Sequence, residues 1–340
     1  MPACSLRRLL ALALLCLPLA TGSALAAPRS EFDVRTELLA RAQAAVLGVI
    51  SEAIEGAGSA ATLGPVRSGS GVVIGEDGLV LTIGYLILEA ERVDLIVDGE
   101  RRVPARVVAY DLATGFGLLQ PLTPLKIAPV PLGRSAAIDA GEPLLVASGA
   151  PEGGLSLARL VSQRAFSGAW EYHIEQALFT VPPRSDHSGA GLFNLDGELL
   201  GIGSLLVVDT TGSGHAHRPG NMFVPIDLLK PVIAEMRARG ASHGSTRAWL
   251  GLNCEERDGE VRVLRVTHEG PAEQAGVQPG DHILRIDDTE VGALETLWKT
   301  LWRKGAERDV RLTIQRDGDE RAITVHAVDR LSTLRRPAGI

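Results

Sequence analysis

Ser188 stands in Asp186-His187-Ser188-Gly189, a glycine-bounded turn that sets a hydroxyl beside an imidazole. A serine becomes a nucleophile when an imidazole within hydrogen-bond reach takes its proton and a carboxylate behind that imidazole fixes the tautomer and stabilises the cation. Adjacent side chains on a tight turn rarely face each other, so His187 is a poor base for Ser188. His173 lies well upstream, with no spacing that ties it to the serine. His215-Ala216-His217 offers two imidazoles in a Gly/Ser-rich loop, short of the usual zinc ligand sets. No metal and no cofactor are expected. Cys254 has no cysteine or histidine partner in sequence and reads as a buried or edge-strand thiol.

The elements that must position these residues begin after an export signal. Met1 to Ala27 carries Arg7 and Arg8, an apolar run from Leu9 to Leu19, and Ala24-Leu25-Ala26 before Ala27. Residues 1–26 are expected to be cleaved, leaving a periplasmic protein. The apolar run is shorter than the roughly 20 residues of a spanning helix, so no stable membrane span is expected. Leu15 before Cys16 speaks against lipid attachment, and Cys4 and Cys16 leave with the signal, so no disulfide staples the remainder. The formal charge of −7 becomes −9 on losing two Arg and no acid. With no dense basic cluster, nucleic acid is excluded as a partner.

From Gly71 onward the chain consists of short Val-, Ile- and Leu-rich runs: Gly71–Ile74, Leu79–Thr82, Val93–Val97, Arg102–Tyr110, Gly117–Gln120 and Pro143–Ser148. Asp77-Gly78, Asp98-Gly99 and Asp196-Gly197 fall between apolar runs as hairpin signals. These patterns predict a mainly β chain built of antiparallel barrels. Before them, Leu38 to Val46 is a helix candidate and Val46 to Ile50 a first strand, with a loop from Ala57 to Ser68. Asp227 is placed to cap a helix through Leu228, Leu229, Val232, Ile233 and Met236 that closes at Arg239-Gly240. A Ser/Gly/His linker from Gly240 to Arg247 leads to a last unit, Trp249 to Asp329, with four strands, a helical segment from Leu294 to Trp302 and a hairpin at Asp317-Gly318.

Several blocks in unbroken order resemble the HtrA/Deg family of trypsin-like peptidases: Gly69-Ser70-Gly71-Val72-Val73-Ile74, Ala105-Arg106-Val107-Val108-Ala109-Tyr110-Asp111, and Ser188-Gly189-Ala190-Gly191-Leu192-Phe193-Asn194. Phe223-Val224-Pro225-Ile226-Asp227 resembles that family's exit from the protease domain. Trp249-Leu250-Gly251-Leu252 and Gly270-Pro271-Ala272-Glu273-Gln274-Ala275-Gly276 resemble a PDZ domain. The resemblance implies a trypsin-like double antiparallel β-barrel over residues 27–240 and a small α+β PDZ domain over 241–330; the remaining 331–340, with Pro and Arg and no periodic apolar face, is expected to be a flexible tail.

Carried over residue by residue, the resemblance puts Ser188 at the nucleophile. The base belongs to a Thr-x-x-His motif, and Thr82-Ile83-Gly84-Tyr85 has Tyr85 there. The acid belongs to Asp-x-Ala-Thr-Asp, and Asp111-Leu112-Ala113-Thr114-Gly115 has Gly115. Asp186 stands where the family's oxyanion-hole glycine would be, and its carboxylate would oppose a developing oxyanion. The expectation is a pseudoprotease with a vestigial Ser188; the alternative is an active serine endopeptidase using a non-standard base.

The PDZ resemblance implies a function that needs no triad. Such a domain takes a peptide by strand addition and holds its terminal carboxylate in consecutive backbone amides, here those of Trp249, Leu250, Gly251 and Leu252. Expected partners are unfolded proteins or peptide C-termini with apolar ends, in a scaffold, chaperone-like or regulatory role in envelope protein quality control. A homo-oligomer and a pairing with an active homologue both stay open.

Overall fold

The computed structural model describes residues 31–139, 141–150, 153–212 and 217–335. The expected signal segment 1–26 and His215 lie outside them. Helix α1 (Glu31–Ala44) leads into the first barrel, made of β1 (Val46–Ala53), β2 (Val66–Val73), β3 (Val80–Ile83), β4 (Ala90–Val97), β5 (Arg101–Tyr110) and β6 (Phe116–Pro121). A one-turn helix α2 (Ala60–Leu63) interrupts the expected 57–68 loop. The six strands close in the order β1-β2-β3-β6-β5-β4.

The second barrel repeats the plan with β7 (Pro143–Ala147), β8 (Leu155–Ser167), β9 (His173–Val181), β10 (Gly191–Phe193), β11 (Leu199–Val207) and β12 (Gly220–Pro225), closed in the order β10-β11-β12-β9-β8-β7. Closure leaves no free sheet edge and fills each interior with alternate side chains. Val49, Val73, Val80, Leu95 and Leu119 share one face of the first barrel's strands and are buried; Leu178, Leu192 and Phe223 pack together in the second. In the three-residue β4–β5 connection, Asp98 and Gly99 both take positive φ (53° and 77°), a conformation that Asp and Gly adopt more readily than most residues.

The exit helix is shorter than its apolar spacing suggested. Residues Ile226–Leu228 form a 3-10 turn, and α3 runs only from Ile233 to Arg239. Pro231 removes a backbone donor and disfavours helix in the residue before it. Asp227 does not cap α3; its carboxylate accepts from the Ala136 amide (2.9 Å) and the Lys230 ammonium (2.7 Å). Gly240 does end the helix, in left-handed conformation (φ 84°) with its N–H bonded to the Met236 carbonyl.

The last unit forms one sheet from β13 (Ala248–Trp249), β14 (Leu252–Arg257), β15 (Glu260–Val266), β16 (His282–Ile286), β17 (Thr289–Glu290), β18 (Arg308–Arg316) and β19 (Asp319–Asp329), with α4 (Pro271–Gln274) and α5 (Leu294–Trp302) against it. Leu250, Leu252, Ile283, Leu297, Trp298 and Leu301 share a core separate from that of the barrels. The tail does not come loose at 331 as expected. Residues Arg330–Thr333 form a 3-10 turn capped by the Asp329 side chain, and the Arg335 amide donates to Glu89 (2.9 Å). No helix among the described residues is long and apolar enough to cross a membrane.

Candidate functional site

Ser188 sits where the two barrels are sewn together. Its carbonyl accepts from the Ser70 amide of β2 (2.8 Å), while Gly189 donates to the Gly203 carbonyl of β11 (2.8 Å). Gly189 has φ 75°, and a Cβ there would stand 1.9 Å from the Ser70 carbonyl oxygen, so only glycine fits. Tyr85 reaches this seam from a 3-10 turn, Gly84–Leu86, immediately after β3. Its hydroxyl lies 2.8 Å from Ser188 Oγ and 2.7 Å from the Ser204 carbonyl oxygen.

A phenol has one proton and a carbonyl can only accept. When the Tyr85 proton goes to Ser204, the Ser188 hydroxyl is the donor in the Ser188–Tyr85 bond, the orientation it would take toward a catalytic base. The acceptor is nevertheless a neutral phenol oxygen, which has almost no affinity for a second proton. Burial pushes the Tyr85 pKa up to about 12, against a smaller opposing effect of the Ser188 bond. Tyr85 is therefore neither an anion nor a base at neutral pH, and Ser188 keeps its proton.

No carboxylate backs Tyr85 from the Gly115 side. Gly115 has φ 82°; its amide donates to the Asp111 carbonyl and its own carbonyl accepts from Gly84, both at 2.7 Å. A Cβ at this position would lie 2.8 Å from Tyr172 Oη, whose proton goes to the Thr114 carbonyl (2.8 Å). Tyr172 thus fills the space into which a residue-115 side chain would grow. Asp111, four residues earlier, is committed elsewhere: one oxygen accepts from Ser242 and Ser245 and the other from Thr114. Burial alone would raise its pKa, but these donors outweigh it and hold the carboxyl below its usual range. The 240–247 linker, expected only as a spacer, is anchored on this carboxylate.

Asp186 does not take positive φ. Its carboxylate makes a two-pronged pair with Arg184 (2.9 and 2.6 Å), which together with further bonds holds its pKa down although burial opposes it. The negative charge anticipated beside the serine is thereby largely neutralised. His187 is turned onto its own loop, Nδ1 donating to the Arg184 carbonyl (2.9 Å). His173 on β9 bonds Ser167 Oγ through Nδ1 (2.9 Å). Cys254 is buried, and burial raises its thiol pKa, which leaves it an unreactive core residue.

In the last unit, the consecutive amides of Leu250, Gly251 and Leu252 point at one carboxylate. It belongs to Glu171, in the loop between β8 and β9, and the bonds to its Oε1 are 3.1, 2.8 and 3.1 Å. Leu250 also reaches Oε2 at 3.2 Å. Gly251 has φ 83°, which lets the loop turn its amide inward. The Leu250 and Leu252 side chains are buried in the core, and the Trp249 ring lies under the Arg330 guanidinium (4.2 Å). The same loop continues along β14: Ala169 accepts from the Cys254 amide (2.7 Å), Trp170 bridges Asn253 antiparallel, and Gly168 accepts from Trp298 Nε1 (3.0 Å). The strand edge expected to be free is occupied by the chain itself. Desolvation raises the Glu171 pKa to about 7 against the lowering effect of the three amides and of Arg330.

His173, Glu175 and Glu295 bring donor atoms within 4.8 Å of one another, a grouping invisible in sequence because it joins β9 to α5. Lys299 sits among them, 2.7 Å from Glu175 and 2.6 Å from Glu295, so the acidic pair already has a resident cation.

Two known domain families match the chain, a trypsin-like peptidase domain over residues 69–202 and a PDZ domain over residues 248–327. A probable periplasmic serine endoprotease DegP-like of Hahella chejuensis is 26% identical over 272 residues, covering 76% of this chain and 56% of the relative. Its counterpart in Marinomonas is 27% identical over 271 residues, covering 76% and 56%. The chain spans about half the length of these curated relatives. Among solved structures, the HtrA-type protease AlgW with a decapeptide aligns with TM-score 0.53 at 18% identity, over 89% of this chain and 99% of that one. A serine endoprotease from Yersinia pestis aligns with TM-score 0.51 at 21% identity, over 89% and 98%. At these identities the structural likeness speaks for the fold.

Proposed function

Given an HtrA-type chain, a trypsin-like peptidase domain followed by a PDZ domain, we propose that it is an exported pseudoprotease that binds peptide C-termini or unfolded segments and does not cleave them. The observation that carries this reading is the pairing of Ser188 with Tyr85, a partly buried neutral phenol, in a site where Tyr172 fills the space beside Gly115. Loss of a triad member costs several orders of magnitude in rate. Two such positions are replaced here, and no histidine bonds Ser188 among the described residues. The three converging amides of Leu250, Gly251 and Leu252 support the binding half of the proposal, since they form a site for a carboxylate that works without a nucleophile. Export to the periplasm rests on the signal-like residues 1–26. A role as scaffold, chaperone or regulatory partner in envelope quality control follows from binding without turnover.

The test is incubation of the purified protein with unfolded casein and, separately, with a fluorophosphonate serine probe at neutral pH. Neither should react. Labelling that disappears in Ser188→Ala would replace this reading with that of an active endopeptidase using a non-standard base.

A further inference from the structure

We propose that the PDZ carboxylate site is occupied by an internal ligand, Ala169-Trp170-Glu171, whose Glu171 side chain stands in for a peptide C-terminus and must leave before an external peptide can bind. The proposal rests on the reading of Leu250–Leu252 as a C-terminus site and adds its regulation.

Polarity, register and chemistry of the contact all match those of a peptide added to the sheet. The edge of β14 is the last position in its sheet. Ala169 meets Cys254, Trp170 meets Asn253, and the next residue delivers a carboxylate to the amides that precede β14. The segment therefore runs antiparallel to β14 and toward the carboxylate loop, as a bound C-terminal tail must. Since the main chain continues into Tyr172, it cannot end there, and the Glu171 side-chain carboxyl group takes the place of a terminal one. Three amide donors on one carboxylate oxygen are a recognition geometry rather than an incidental surface contact. Trp298 of α5 adds a bond to Gly168 from the helix side, closing the groove around the segment. Trp170 remains 43% exposed and stacks on Tyr172 with ring centroids 5.8 Å apart, so an apolar ring sits at the groove mouth where an incoming side chain would lie.

An external tail and Glu171 cannot both hold the same three amides. The apparent affinity of wild-type protein is therefore the intrinsic affinity reduced by the fraction of molecules with the segment undocked. Removing the Glu171 carboxylate frees the site.

The experiment uses the full chain, wild type and Glu171→Ala, with an octapeptide of the sequence of residues 164–170 followed by leucine, as free acid and as C-terminal amide. Calorimetry gives affinity, and hydrogen exchange read by mass spectrometry over residues 249–255 gives groove protection without any peptide. The expected result is faster exchange in Glu171→Ala, together with binding of the free acid at least tenfold tighter than by wild type and loss of that gain on amidation. Glu171→Gln, which keeps an acceptor but no charge, should fall between. Unchanged exchange with equal affinities in the two proteins overturns the internal ligand while leaving the C-terminus site standing. Released exchange with no binding of free acid by either protein supports the internal ligand and overturns the C-terminus site.

Discussion

The hydroxyl of Tyr85 satisfies two oxygens at once, Ser188 Oγ and the carbonyl of Ser204. Its removal in Tyr85→Phe leaves a carbonyl and a hydroxyl short of a partner in a largely enclosed site, and each such group costs about 1–3 kcal/mol. Urea denaturation should show a loss of that order; an unchanged midpoint would mean that solvent reaches Ser204. Restoring residue types is a different matter from restoring a site. Tyr85→His with Gly115→Asp puts back an imidazole and a carboxylate, yet residue 115 holds φ 82° and its Cβ would press on Tyr172 Oη. The double variant should melt at lower temperature than wild type and still leave casein intact. Efficient cleavage by it would show that Tyr172 yields its place.

Whole elements were legible where the signal was local. Asp98-Gly99 and Asp317-Gly318 take the positive φ values that their sequence announces, and Gly240 ends α3 as a glycine after an arginine-rich last turn should. Tyr85 and Gly115 were readable because their motifs run without gaps. Pro231 shortened the exit helix against its apolar spacing, and Glu171 carried no signal, since its partners lie some eighty positions away in sequence. The element it belongs to should respond to acidity. The Glu171 pKa is raised to about 7 when docked, with the Arg330 guanidinium and the Cys254 thiol as its other ionisable neighbours. A carboxyl whose docked pKa lies above its free value of about 4.3 stabilises docking fully below that value and loses the effect as pH rises through 7. External peptide binding by wild type should therefore strengthen from pH 5.5 to 8.5, while Glu171→Ala shows a flat profile. A flat profile in both would remove Glu171 as the titrating group.

At the scale of the molecule, the barrels and the PDZ sheet have separate cores, so whatever makes them behave as one body must be carried by a few polar contacts. Among the described residues these include Asp111 holding Ser242 and Ser245, the 168–171 segment on β14 and α5 (Gly168 with Trp298, Ala169 with Cys254, Glu171 with the Leu250–Leu252 amides), Lys299 bridging to Glu175, and Arg335 on Glu89. The first is buried and also orders the linker. Lys299–Glu175 joins two solvent-exposed side chains, and pairs of that kind contribute about 0–1 kcal/mol, while Arg335 reaches the buried Glu89 only through its backbone amide. Glu171 is the contact that joins the PDZ loop to the segment ending in Tyr172, beside Gly115. Removing it should uncouple the domains more than removing Lys299. Scanning calorimetry of wild type is expected to give one transition, Lys299→Ala one transition at slightly lower temperature, and Glu171→Ala two resolved transitions, one for each core. A single sharp transition in Glu171→Ala would mean that the Asp111 anchor alone carries the coupling, and Asp111→Asn would then be the variant that splits it.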